Sequence, residues 1–375
     1  MTGGTGRVFA LVLACCLAAA AGAAPRVVDA GASSRALDNP AVSARDAELS
    51  ALAGGGRADE LAARLDVIAF DATLDGLARE YLIDRGLHRL ATLPPTPAAR
   101  ATVMRLAKRK PVVYVRVDPD HGDRATPLYD TGATARFVLR EWNRGHARDE
   151  AAQSLAAGDG TAIGRYASIA AMRGKSAQLK GIEDAFREAP ARQLVAQRPA
   201  LQASLADGER VGPLALVVAG RLADAELFGL VLQGADEGSA LAAVTAAAHT
   251  LDSRTALGLL ERASRREDIG SAALLAIGGL AAGDPEARYS LFAALEDPAR
   301  APSAAAALAR LGDPGVSAEL GQRLAAARSE ESQRALVLAL RLDPTPAARA
   351  ELARFAESGK GSARLRRQVQ QWLAP

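Results

Sequence analysis

From about residue 210 onward, leucine, valine and alanine recur every three to four residues, the mark of amphipathic helices. The runs are punctuated at regular intervals. Gly283-Asp284-Pro285 and Gly312-Asp313-Pro314 each follow an Ala/Leu-rich stretch and precede another. Asp is a strong N-cap, because its carboxylate accepts from the orphan amides of the first helical turn. Pro suits the next position, where no amide donor is needed. The same grammar marks Asp224, Asp252 and Thr345, so five caps stand 28, 32, 29 and 32 residues apart. Six positions beyond the first helical residue of each unit stand Val231, Leu259, Leu291, Leu320 and Leu352. An apolar residue at one offset in five successive units predicts a shared core column. Leu295 and Leu324 extend that face by one turn.

A unit of about thirty residues with two helices and two short turns is an α-hairpin. One hairpin cannot bury its apolar stripe alone, and stacked neighbours can, which predicts a solenoid. Ala304 to Leu324 contains an Ala-Leu-Ala-Arg-Leu-Gly-Asp-Pro run followed by a further helix. This run resembles the bacterial HEAT-like repeats, in which such a run joins the two helices of a unit. The resemblance covers roughly 210–360 and is clearest over 270–360. It implies an all-α fold, an α-solenoid of HEAT-like helical hairpins, here with a small β/loop insertion. It implies no reaction, because such arrays serve as scaffolds, binding modules and, in a few cases, enzymes. Ser362 to Leu373 reads as a capping helix, with Leu365, Val369 and Trp372 on its inner face and Arg and Gln outside.

The amino-terminal half predicts helices at Ala44–Leu52, Ala58–Ala69, Leu74–Leu93 and Pro97–Lys108, with Gly54-Gly55-Gly56 as a loop. Pro95 to Ala101 repeats, residue for residue, the run Pro344 to Ala350, and Val103 falls on the offset of the core column. Residues 24–40 are small, polar and Pro-containing, and read as a disordered leader. The resulting division is 24–40 leader, 41–110 helical region, 111–132 β/loop insertion and 133–375 repeat region, after an export segment at 1–23.

The insertion breaks the helical grammar. Val112 to Val117 is β-branched and aromatic in a chain otherwise built on Ala and Leu, a strand signal. The densest polar cluster follows, with Asp118, Asp120, His121 and Asp123. Three readings are open. The three aspartates can offer oxygens to calcium, although their spacing is not that of an EF-hand loop. His121 can act as acid or base beside Asp120 or Asp123. A solvated hairpin covering a solenoid edge needs neither. Arg116, Tyr129 and Trp142 belong to the amphipathic types enriched at interfaces and complete the candidate binding set.

Composition narrows the function. Aromatics make up 4% of the chain, so its interior is aliphatic and poorly suited to deep aromatic ligand pockets. The formal net charge is +3, with Arg and Asp/Glu interspersed, which argues against nucleic acid as a partner. Residues 1–23 have the parts of a secretory signal: Arg7, an apolar run from Val8 to Ala20, and Ala21-Gly22-Ala23, with cleavage expected after Ala23. The run is short for a transmembrane span. Val12-Leu13-Ala14-Cys15 loosely resembles a lipobox, so a lipid anchor at Cys15 is the alternative to soluble export. Both cysteines lie in this segment, and cleavage after Ala23 leaves a mature chain with none.

His88, His146 and His249 lie in helical patterns and suggest no site. No phosphate loop, Gly-x-Ser-x-Gly elbow or His-Glu-x-x-His motif occurs. No catalytic residue, metal ligand set or cofactor is therefore assigned. The expected function is a non-enzymatic, periplasmic or secreted scaffold that binds a protein or peptide of the envelope. The alternative is an enzyme, or its accessory domain, acting on an envelope polymer.

Overall fold

Short polar residues start most of these helices. In the computed structural model, which describes residues 26–28, 38–116 and 125–374, the chain is all-α, with nineteen helices and one small sheet among those residues. It divides into two compact units between Gly145 and His146, inside a helix and not at either end of the insertion.

The first unit holds α1 (Pro40–Gly54), α2 (Ala58–Phe70), α3 (Gly76–Ala91) and α4 (Pro97–Leu106). Asn39, Asp75 and Thr96 cap α1, α3 and α4, each accepting from a first-turn amide. α2 packs on α1, α3 and α4, and α1 also packs on α3. The core lies between them and is aliphatic: Leu49, Leu61, Leu65, Leu82, Leu87 and Val103 are fully buried. Helix α5 (Thr131–Ala157) contributes Val138 and Trp142 to this core and Ala151 and Leu155 to that of the second unit.

The strand signal is realised as β2 (Val113–Arg116), the centre of a three-stranded sheet. β3 (Ala125–Pro127) pairs antiparallel to it, with Val115 opposite Thr126. β1 (Arg26–Val28) pairs parallel to it, with Val27 opposite Tyr114. The 24–40 segment is thus not uniformly a disordered leader. Arg26–Val28 is strand, and Pro40 already opens α1. The reason is local. Val27 and Val28 are β-branched and meet a free edge of β2, and Asn39-Pro40 is itself a cap followed by proline.

The second unit continues through α6 (Thr161–Ala170), α7 (Ser176–Glu188), α8 (Ala191–Ala206), α9 (Gly212–Leu222), α10 (Ala225–Gly234) and α11 (Glu237–Thr250). It goes on through α12 (Ser253–Ala263), α13 (Gly270–Ala281), α14 (Pro285–Ala294), α15 (Ala301–Ala309) and α16 (Pro314–Ala326). It ends with α17 (Glu330–Leu342), α18 (Pro346–Glu357) and α19 (Ala363–Leu373). The helices alternate between two layers. In the odd layer α7, α9, α11, α13, α15 and α17 pack each on the next. In the even layer α8 packs on α10, α10 on α12, and α16 on α18, while α14 leans mainly on α13 and α15. This is a stack of helical repeats, as solenoids are built.

All five sequence-read caps hold their helices. Asp224, Asp252, Asp284, Asp313 and Thr345 each accept from an amide of the first turn. Val231, Leu259, Leu291, Leu320 and Leu352 are all buried in one core, with Leu295 and Leu324 beside them. Small residues let the odd layer close up, for a β-carbon on Gly278 of α13 would stand 3.0 Å from Ala307 Cβ of α15. In α19, Leu365 and Val369 are buried and Trp372 lies under the Arg341 guanidinium, 3.8 Å from the ring centroid.

Polar side chains also staple one repeat to the next. At the capped ends, Arg288 Nη1 of α14 meets Asp313 Oδ2 at 3.1 Å, and Ser317 Oγ of α16 donates to Asp343 Oδ2 at 2.6 Å. At the opposite ends, Arg266 Nη1 donates to Leu232 O at 2.6 Å and Lys360 Nζ to Ala325 O at 3.0 Å. Each of these cations follows one even helix and satisfies a carbonyl in the last turn of the preceding even helix, where the helix dipole favours positive charge.

Candidate functional site

Of the residues nominated around the insertion, Arg116, Tyr129 and Trp142 lie among the described residues. Asp118, Asp120, His121 and Asp123 lie outside the described residues, as do the export segment 1–23 and Cys15. Arg116 ends β2, with its backbone opposite Ala125 of β3. Tyr129 is half-buried and packs edge-on against Tyr81, ring centroids 5.8 Å apart. Burial raises the Tyr129 phenol above its ordinary value. Trp142 is 3% exposed, and its indole Nε1 donates to Leu93 O at 3.0 Å. Trp142 therefore anchors the core of the first unit and presents little surface to a partner.

Beside the sheet stands a residue that belongs to no sequence motif. Glu80, on α3, is 1% exposed. Its Oε1 accepts from Val112 N at 2.7 Å and its Oε2 from Val113 N at 3.1 Å, so one carboxylate clamps the start of β2 to the helix. Burial raises its pKa. The two amides and the charge of Arg109 pull the other way, and Asp130 adds to the rise. Arg109 is itself partly buried, which lowers its own pKa. The available signal was a charged residue three positions after Leu77, on the apolar stripe of α3.

In the second unit two clefts open along the even layer, and a third cavity lies at the turns beside α13 and α15. One lies between α10 and α12, about 130 Å³, with Gly229, Leu232 and Gln233 on one wall and Leu259, Arg262 and Arg266 on the other. A second lies between α16 and α18, about 340 Å³, with Gly321 and Gln322 facing Glu351, Arg354 and Phe355, and Lys360 at its end. These two occupy the same place in the repeat. Gln233 and Gln322 each stand eight residues after the first residue of their helix, and both are exposed. In the second cleft the buried Glu351 carboxylate pairs with Arg354 and lies over Gly321, which leaves it room by having no side chain.

The third and largest cavity, about 640 Å³, lies where the α12–α13 and α14–α15 turns come together. Arg265, Arg266 and Arg300 line it with the hydroxyls of Ser264, Ser271 and Ser303. Arg266 forks onto Asp268, and its hydrogen bond holds that carboxyl below the usual range. Arg300 Nε donates to Asp297 Oδ2 at 2.7 Å, with the same effect on Asp297. Arg266 also lines the α10–α12 cleft.

The two clefts combine a buried leucine or phenylalanine with glutamine and arginine at their rims, and the third cavity is mainly polar. Among the described residues no group of three or more His, Cys, Asp or Glu is placed to hold a metal ion. No protein-family model matches the chain, and no curated protein is similar to it at a significant level. Among the described residues no helix is long and apolar enough to cross a membrane.

Proposed function

We propose that this protein is a non-enzymatic scaffold of the cell envelope, a HEAT-like array that binds a protein or peptide along the even layer of its second unit. The observation that carries the reading is the recurrence of one cleft. Between α10 and α12, and again between α16 and α18, a cleft is lined by a glycine, by the exposed glutamine eight residues after the helix start and by an arginine of the next even helix. A repeated surface suits a ligand that runs across several repeats, so extended chains fit it better than compact small molecules. The envelope assignment rests on the secretory pattern of residues 1–23, with Cys15 acylation as the lipid-anchored variant.

The test is site-specific photocrosslinking in the native envelope, with the crosslinker placed at Gln233, at Gln322 or at Thr245, an exposed position on α11 of the other layer. The reading expects the same discrete adduct from Gln233 and Gln322 and none from Thr245. Adducts from Thr245 alone, or from no position, count against it.

A further inference from the structure

In the first unit, α2 and α4 run side by side and end together. Thr96 donates to Asp59 at their starts, and Thr102 and Arg105 hold Asp66 further along. Arg109, just beyond α4, donates to Ala69 O at 3.4 Å. That carbonyl belongs to the peptide bond leading into Phe70, so the end of α2 and the run Arg105 to Lys110 meet at one edge. We propose that this edge binds a bilayer surface of anionic lipids, with its apolar side chains inserted and its lysines on the headgroups. The proposal goes beyond the scaffold reading and uses none of its clefts.

Phe70 is 81% exposed, more than any other large apolar residue among the described ones. Val67, one turn earlier on α2, and Met104, on α4, are each about half exposed. No six-residue stretch of the chain other than 105–110 holds four basic residues, and it holds no acid. Lys108 and Lys110 are exposed, with no ion-pair partner among the described residues. Arg109 is turned inward, toward Glu80. The acids at this edge are engaged, Asp66 by Arg105 and Asp71 by Arg45 at 2.8 Å. The two lysines are therefore the outward charges. Exposed apolar residues rimmed by charge mark either a protein contact or a membrane contact. Two features select the membrane. Lysine is depleted at protein interfaces, whereas its long stem suits the boundary between acyl chains and phosphates. These side chains also project outward and line none of the three cavities described above, and a bilayer needs no complementary pocket. A few apolar groups or two charges bind lipid weakly alone, and together they give reversible attachment. Helix α19 is the contrast. Arg364 and Arg367 are exposed there, but Leu365 and Val369 are buried, so that surface has charge without the apolar tip.

The test is vesicle flotation of the chain from Ala24 onward, the form left by the expected cleavage, because the apolar run of residues 8–20 would bind lipid by itself. Vesicles of phosphatidylglycerol and phosphatidylcholine in equal parts should take up at least about tenfold more protein than vesicles of phosphatidylcholine alone. The double variant Lys108→Glu/Lys110→Glu should lose at least about tenfold in partitioning, and Phe70→Ser at least about fivefold. The double variant Arg364→Glu/Arg367→Glu makes the same change in net charge on α19 and should partition as the parent does. All of these positions are exposed, so the variants should melt as the parent does. The proposal is overturned if the parent binds both vesicle types alike or binds neither. It is also overturned if Phe70→Ser or the lysine pair keeps full binding, or if the α19 pair loses as much as the lysine pair. A protein adduct from a photocrosslinker at Phe70, with no vesicle binding, would make the edge a protein interface instead. Gln233 and Gln322 lie in the second unit, so their crosslinks test the scaffold reading separately.

Discussion

The carboxylate of Glu351, on α18, lies directly over the α-carbon of Gly321, on α16, in the space a side chain would occupy. Two consecutive even-layer helices are thereby matched, one with a missing side chain and the other with a buried acid. The pairing sets a sign. In an ordinary helix interior, Gly→Ala is favourable by about 0.8–1 kcal/mol. Here Gly321→Ala should lower stability, because Glu351 must swing out of its place. In the Glu351→Ala background the same change should raise stability by about 1 kcal/mol. Urea unfolding of the four variants measures this, and the absence of a sign change would show that the two residues are independent.

The core column makes a second prediction. Leu320 is fully buried and Arg328, just beyond the same helix, is exposed. Leu320→Ala should cost about 2–5 kcal/mol through lost burial and the cavity left behind. Arg328→Ala should stay within about 0.5 kcal/mol. Equal losses would remove the repeat register.

The caps make the array sensitive to acid. The Asp236 carboxyl, hydrogen-bonded to the Ser239 hydroxyl and amide, is held below its ordinary value, and Asp252, bonded to Thr255, behaves in the same way. A carboxyl with a lowered folded-state pKa contributes stability that is complete above the unfolded value, near 4, and is lost as pH falls through the lowered folded value. The melting temperature should therefore drop on acidification below about pH 4. Asp236→Asn should flatten that drop.

Glu80 has the opposite sign. Its folded-state pKa is raised by burial, so the folded state holds its proton more tightly than the unfolded chain. Its contribution is greatest below the ordinary glutamate value and declines as pH rises through the raised one. Glu80→Ala leaves the Val112 and Val113 amides without their acceptor, which costs about 1–3 kcal/mol for each group left buried and unpaired. Hydrogen exchange should show those two amides losing protection while the α3 amides keep theirs. Equal protection in both proteins would show that the clamp is unimportant.

Much of the architecture was legible because its signals are local. A cap acts on amides two or three residues away, and a helix shows its buried face every three to four positions. That is why Asp284 and Asp313, and the column from Val231 to Leu352, could be read directly. The twin Thr96-Pro97 and Thr345-Pro346 starts were legible for the same reason, and both threonines cap their helices. Asn39-Pro40 follows the same rule, but the small, polar residues before it mask the signal by reading as disorder. Arg26–Val28 is different, for it is a strand only because β2, some 85 residues later, offers it an edge.

The binding surface was not legible. Gln233 and Gln322 look like ordinary solvated residues until two helices come side by side, and Arg266 walls two cavities only because turns from successive repeats meet. Trp142 looked like an interface residue by type, and packing decided that it is core. Local patterning sets where the capped helices start, which face each one buries, and that the faces must stack. Which polar residues share a cleft follows from distances across the stack, and no periodicity along one helix records them.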